Sequence, residues 1–253
     1  MRLGSMRSRS PLLAGSLLLL AACSAGPGTT PAPTPGATPT PGTPQPIELR
    51  FDFATGGHDW QADYTDYTKP VHEGIQFRSE LEERGYLVYG RNVSDDLFMY
   101  IRRLLAAEDG IVAGQAYRLT YKLTFLSDGP TGCMGIGGAP GEGVILKLGG
   151  SPTEPLPIED GEDVWLSVEK GNQMEGGPAG SSAGDIANGI DCEEATTQDP
   201  MPFGQVVREH VHDTSVTASD SGELWLLVGT DSGFEGATTI IYESIEVTLE
   251  PVG

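Results

Sequence analysis

The stretch Tyr117-Arg-Leu-Thr-Tyr-Lys-Leu-Thr-Phe125 alternates apolar or aromatic side chains with polar ones along its whole length. Ile241-Tyr-Glu-Ser-Ile-Glu-Val-Thr-Leu249 does much the same. Successive side chains of a strand point to opposite faces, so a period of two marks half-buried antiparallel strands. Runs of this kind predict strands over Glu48–Phe53, Ile75–Leu81, Tyr86–Arg91, Leu97–Leu105, Tyr117–Leu126, Gly143–Leu148, Val164–Glu169, Gln205–His212, Leu224–Gly229 and Thr239–Leu249. The 35 glycines concentrate between these runs. No long stretch carries a clean helical period. Leu97–Ala107 alone is ambiguous, because Leu97, Ile101, Leu104 and Leu105 also fit one face of a helix. Short strands with long Gly-rich loops in one domain predict an all-β fold, two antiparallel sheets packed as a sandwich.

The pattern breaks down before residue 47, where the chain changes character twice. Residues 1–22 carry Arg2, Arg7 and Arg9 and then an apolar stretch from Pro11 to Ala22. That stretch is about half of what a bilayer span requires. It closes on Leu20-Ala21-Ala22-Cys23, which resembles a bacterial lipobox. The resemblance implies cleavage before Cys23, a diacylglyceryl group on its thiol and acylation of the new N-terminus. Ser24 to Pro46 follow, with eight prolines and no charged residue. Such a segment cannot bury a core and favours extended polyproline II, reaching roughly 70 Å at about 3.1 Å per residue. The expected organisation is therefore a signal peptide over 1–22, a lipidated Cys23 with a Pro/Thr-rich stalk over 23–46, and one β-sandwich domain over 47–253. The protein is expected outside the cytoplasm, held to the cell membrane or outer membrane by lipid at Cys23.

Charge narrows the partners. All 36 acidic residues lie beyond residue 46, against 12 of the 15 basic ones, so residues 47–253 carry a net −24. A surface of that sign repels nucleic acid and anionic lipid headgroups. Contact with the membrane is expected through the lipid only, and no nucleic acid is expected as a partner. Of three cysteines, Cys23 is taken by lipid. Cys133 and Cys192 remain as an even pair in an oxidising compartment, without zinc-like spacing, and predict a disulfide. Closing a loop of about 60 residues would contribute about 4 kcal/mol in the chain-entropy model. The bond would tie together two long loops, Ser127–Glu142 and Gly171 to about Pro202.

Phe51-Asp-Phe-Ala-Thr-Gly-Gly-His-Asp-Trp60, Gly114-Gln-Ala-Tyr-Arg-Leu-Thr-Tyr121 and Tyr242-Glu-Ser-Ile-Glu-Val-Thr-Leu249 resemble the opening, central and closing strands of jelly-roll, galactose-binding-like carbohydrate-binding modules. The resemblance implies a jelly-roll sandwich and a glycan ligand. Glu243-Ser244 stands where that family usually has paired aspartates, which separates this chain from the family's structural calcium site. Asn92–Met99, Gly132–Glu142, Gly184–Gly189 and Gly229–Gly236 resemble a family of secreted bacterial proteins with no assigned activity. That likeness implies a shared fold and no mechanism.

Candidate chemistry is sparse. Gly180-Ser-Ser-Ala-Gly184 has the letters of a nucleophile elbow at Ser182, but not the strand before it or the helix after it. Gly135-Ile-Gly-Gly-Ala-Pro140 puts proline where a dinucleotide fingerprint needs glycine. His210-Val-His212 sets two imidazoles on one strand face, and His58 or His72 would have to supply a third zinc ligand. The glycine-flanked carboxylates Asp231, Glu235 and Asp185, with the pair Asp95-Asp96, either donate oxygens to a structural calcium or are simply solvated. Trp60, Tyr64 and Tyr67, with Asp63 and Asp66 interleaved, offer flat rings for sugar C–H faces and acceptors for hydroxyls. The alternative for Trp60 is a core position just past the first strand, and Trp165 and Trp225 are expected in the core. The sequence thus points to a binding module for neutral glycan. The alternative is an envelope structural or protein-interaction lipoprotein. No enzymatic activity and no cofactor beyond that calcium are expected.

Overall fold

Along the central strand the alternation is complete: Tyr117, Leu119, Tyr121, Leu123 and Phe125 are buried, and Arg118 and Lys122 are exposed. The computed structural model describes residues 45–253 other than Asp95. The signal segment 1–22, Cys23 and nearly all of the stalk lie outside the described residues.

Among the described residues, fifteen strands follow one another. They are β1 Ile47–Asp52, β2 Gln61–Thr65, β3 Tyr67–Thr68, β4 Arg78–Glu82, β5 Gly85–Arg91, β6 Phe98–Leu105, β7 Ala116–Ser127, β8 Val144–Ser151, β9 Pro157–Asp160, β10 Asp163–Leu166, β11 Ser181–Asp185, β12 Gly204–Val211, β13 Val216–Thr217, β14 Leu224–Ser232 and β15 Ala237–Val252. The first sheet runs β12-β7-β15-β5-β4, with β1 also on β15 and β13 on β7. The second runs β11-β8-β14-β6-β2, and a small third sheet runs β3-β10-β9. Every strand pairing is antiparallel. The expected all-β, two-sheet sandwich is the observed architecture. Between the two large sheets lies a core that includes Tyr117, Tyr121, Phe125, Leu146, Leu226, Val247 and Leu249.

The ambiguity over Leu97–Ala107 resolves to strand, with a physical reason. Met99 and Ile101 point into the core, while Phe98 and Tyr100 pack outward with Leu166 and Leu227 in a separate apolar cluster. A strand buried on both faces loses its period of two, and its apolar residues then also fit a helix. The outward cluster exists because residues 152–180 fold back across the outer face of the second sheet. The β3-β10-β9 sheet is part of that cover. Gly171, with φ of +75°, makes the tight fold possible; a Cβ there would stand 2.1 Å from the Glu175 carbonyl oxygen.

Three sequence expectations need correction. Ile75–Leu81 becomes strand only from Arg78, after a 3-10 turn over Lys69–Gly74. Val164–Glu169 ends as strand at Leu166. Trp60–Tyr67, outside the strands predicted from the pattern, contains β2, an edge strand of the second sheet paired with β6. The Cys133–Cys192 disulfide is present, with the Cα atoms 5.0 Å apart, and it ties the loop after β7 to the one before β12.

Candidate functional site

On the outer face of the second sheet, neighbouring strands set Lys147 of β8 and Asp231 of β14 pointing away from the core. The folded-back segment brings Lys170 over them, and the β2–β3 turn brings Asp66. Asp66 takes a left-handed φ of +63°, which aspartate tolerates, and its N–H donates to the Val164 carbonyl at 2.8 Å.

The result is a dense, buried ionic network. The Lys170 ammonium lies 2.7 Å from Asp66 Oδ2 and 2.8 Å from Asp231 Oδ2. It also stands 4.7 Å from the centre of the Phe98 ring. Asp231 Oδ2 accepts a further bond from the Gln173 N–H at 2.8 Å. Lys147 Nζ is 3.9 Å from Asp231 and donates to the Glu175 carbonyl. Both Lys147 and Asp231 have fully buried side chains. Burial works to lower the Lys170 pKa, but Asp231 and Asp66 outweigh it and raise the value. For Lys147 burial prevails and the pKa is lowered. The third carboxyl, Asp96, is pushed up to about 8 by burial and by the charges of Asp231 and Asp66. Three carboxyls and two ammoniums balance when Asp96 carries a proton. One oxygen of Asp96 and one of Asp231 are buried with no donor from the rest of the protein, and the proton on Asp96 joins the two carboxyls.

This network floors a cleft of 470 Å³. Asp66 and Asp96 reach it from below; Glu169, Asn172 and Glu175 line its walls; Trp165 stands on its rim. Trp165 is 45% exposed, against the expectation that it is core. Its strand β10 lies in the small covering sheet, where alternation sends Val164 and Leu166 inward and Trp165 out.

The sequence-predicted residues scatter around this cleft. Trp60 is in the core, 4% exposed, edge-on to Phe51 at 5.5 Å, so it presents no face to a ligand. Asp63 lies 3.6 Å from the Arg102 guanidinium. Tyr64 is half-buried against the core and Phe77, and its hydroxyl meets His72 Nε2 at 2.9 Å. Tyr67 stacks on Tyr64 with centroids 5.3 Å apart, half-buried at the edge of the small sheet. Burial raises both phenol pKa values. Asp66 reaches the cleft, but as the partner of Lys170 and not as a free acceptor.

The proposed calcium donors are not gathered. Asp185 turns to Arg208 at 3.3 Å, and Glu235 packs against the Gly137 turn. The carboxylates that the fold does bring within 4.8 Å of one another are Asp66, Asp96 and Asp231. The Lys170 ammonium already binds two of them. A calcium ion there would have to displace that ammonium, so this donor set does not fit one. His210 and His212 both meet the buried Ser181 hydroxyl, at 2.7 and 2.9 Å. His58 instead contacts the Asp52 carbonyl and His72 the Tyr64 hydroxyl, so neither completes a zinc set with that pair. Lys147 and Lys170 were missed by sequence reasoning. A lysine inside the apolar run Val144-Ile-Leu-Lys-Leu148 was the one available signal for a buried counter-charge.

No family model matches the chain, and no curated protein matches it in sequence. Solved structures do align with it. TmCBM61, a carbohydrate-binding module solved with β-1,4-galactotriose, is 10% identical with a TM-score of 0.28, covering 77% of this chain and 92% of that one. TmCBM27, a module with specific mannan recognition, is 12% identical with a TM-score of 0.29, covering 81% and 99%. An arabinose-bound α-L-arabinofuranosidase, MgGH51, is 12% identical with a TM-score of 0.33; the match covers 74% of this chain and 23% of that enzyme. At these scores none of them bears on ligand or mechanism, and the description of the sandwich rests on its own sheets.

Proposed function

We propose that this protein is a lipid-tethered, extracytoplasmic module that binds neutral glycan in the cleft over the second sheet. The observation that carries the reading is Trp165: a large exposed ring on the rim of a cleft whose walls supply carboxylates and an amide. Flat rings bury much area at little entropic cost, and placed acceptors give orientation. The cations beneath the cleft are consumed by Asp66 and Asp231, while Glu169 and Glu175 remain on its walls, so anionic sugars are disfavoured. Tyr67, paired with Val164, points to the inward face of the small sheet against Tyr64 and takes no part in this platform.

The test is affinity electrophoresis of the full chain through gels containing galactan, mannan, xylan, arabinan or β-glucan. At least one should retard the protein. Trp165→Ala should weaken that retardation about tenfold or more, as loss of roughly 1.4 kcal/mol of contact requires. Tyr67→Ala should leave it unchanged. No retardation by any of the five, or retardation unchanged by Trp165→Ala, sinks the proposal.

One observation favours a second reading, an envelope protein-interaction surface. Ile158 faces outward opposite Trp165 across β9 and β10, and Leu156 is exposed nearby, 48% and 38% accessible respectively. A flat apolar strip of this kind suits a protein partner. Ile158→Asp would then abolish capture of an envelope protein while leaving glycan retardation intact.

A further inference from the structure

The outer face of the first sheet carries a second groove that the reading above does not use. Across β4, β5 and β15, Arg78, Tyr89 and Thr239 form one row, and Leu87 and Ile241 sit side by side in the next. The segment before β12 folds over them and sets Met201 and Phe203 as a wall. The open groove between them measures 610 Å³. A further hollow of 480 Å³, lined by Gln76 and Phe77, shares Arg78 and Tyr89 with it.

Two arginines face this groove, and both lie on aromatic rings. The Arg84 guanidinium carbon is 4.9 Å from the centre of the Phe203 ring, and that of Arg78 is 5.4 Å from the centre of Tyr89. Among the described residues, no carboxylate lies within ion-pair distance of Arg84. The partner of Arg78 is Glu80 at 3.5 Å, with both side chains more than half exposed, a pairing worth little in water. A guanidinium backed by a ring is held in place, weakly hydrated, and keeps its N–H edges free for a planar anion. In a domain with net −24, Arg84, with no carboxylate partner among the described residues, and Arg78, with only the exposed Glu80, stand apart from Lys170, Arg102 and Arg103, whose carboxylate pairs are shielded from water.

The groove also has acids, and their placement matters. Asp128 accepts the Thr239 N–H at 2.9 Å, and burial pushes its carboxyl up. Glu82 and Asp199 line the same space, without an ion pair to either arginine, and can accept hydroxyls. Leu87, Ile241 and Met201 give an apolar bed for C–H faces. We infer that this groove binds an acidic glycan, taking the carboxylate of a uronic acid residue on the guanidinium edges of Arg78 and Arg84. Two N–H edges match one carboxylate in a bidentate manner. A polyphosphate chain would call for more cations than this face supplies.

Calorimetry on the full chain tests this with tetragalacturonate, its fully methyl-esterified form, and an oligoglutamate peptide of equal charge. Tetragalacturonate should bind, and the ester at least tenfold more weakly. The double variant Arg78→Gln, Arg84→Gln should lose at least tenfold for tetragalacturonate, with its melting temperature unchanged. Trp165→Ala should leave that binding intact, which separates this groove from the neutral-glycan cleft. The inference is overturned by no binding of tetragalacturonate, equal binding of the ester, no effect of the arginine changes, or loss with Trp165→Ala. Oligoglutamate binding as tightly as the sugar also overturns it, in favour of an acidic peptide.

Discussion

The two outer faces of the sandwich handle positive charge in opposite ways. On the second sheet, Lys147 and Lys170 are driven into the protein and held by Asp231 and Asp66. On the first sheet, Arg78 and Arg84 lie on rings at the surface, Arg84 without a carboxylate partner among the described residues and Arg78 with only the exposed Glu80. A buried ammonium survives only where carboxylates meet it, so the first arrangement is structural and expensive to disturb. A stacked guanidinium costs little to expose, so the second can serve a ligand. Cation placement, more than total charge, separates a face that builds a floor from one that offers a contact.

The sharpest way to break this comparison is to remove one charge from each face. Asp231→Ala leaves the buried Lys147 without a carboxylate and Lys170 with Asp66 alone, and should destabilise the fold by about 3–5 kcal/mol in urea denaturation. Arg84→Ala should stay within about 0.5 kcal/mol. Equal costs would dissolve the distinction. Loss of the disulfide comes next. Cys133→Ser with Cys192→Ser should cost about 4 kcal/mol in the chain-entropy model, and less if the reduced chain keeps residual structure. It should also loosen the segment that carries Met201 and Phe203. Tetragalacturonate binding should fall while neutral-glycan retardation holds, and the reverse pattern would mean that the bond supports the other face.

A smaller effect follows from Asp96. Its folded pKa is raised to about 8, while an unfolded aspartate titrates near 4. Between those values the folded protein holds a proton that the unfolded chain has released. Stability should therefore fall as pH rises through that window. Asp96→Asn, which keeps the shape of the neutral acid, should flatten the melting temperature between pH 5 and pH 9, read by calorimetry. A slope unchanged in that variant would move the titration to another group. The smallest expected effect is on Trp165: replacing this exposed ring by alanine should change stability by no more than about 0.5 kcal/mol, while retardation by neutral glycan weakens.

The first sheet was legible because its two longest strands keep part of one face wet. Tyr117–Phe125 and Ile241–Leu249 announce themselves through alternation. Gln61-Ala-Asp-Tyr-Thr65 did not, since its apolar positions are small or mixed, and it forms a strand only because β6 offers an edge. Ser181-Ser-Ala-Gly-Asp185 has no strand character of its own and is recruited by β8. The candidate site was less legible still. Asp66, Asp96, Lys147, Lys170 and Asp231 are scattered along the chain, and only the order of the second sheet and its cover bring them together. Asp231 was noticed as a donor, but composition could not show that its partner is a lysine. Trp165 was misplaced because a strand residue was assumed to face the core, whereas β10 belongs to a sheet that lies on top of another.

The pairing of β1 with β15 carries a mechanical consequence. Ile47 sits beside Leu249, near Gly110, at the end of the sandwich where β6 finishes, whereas Asp231 and the cystine loops lie toward the other end. A pull on the chain at Ile47, resisted by something gripped near Asp231, runs along the strands. All six register pairs from Ile47 to Asp52 are then loaded together in shear, where a peeling geometry would part them one at a time. A domain entered this way resists tension applied at Ile47 without any added device.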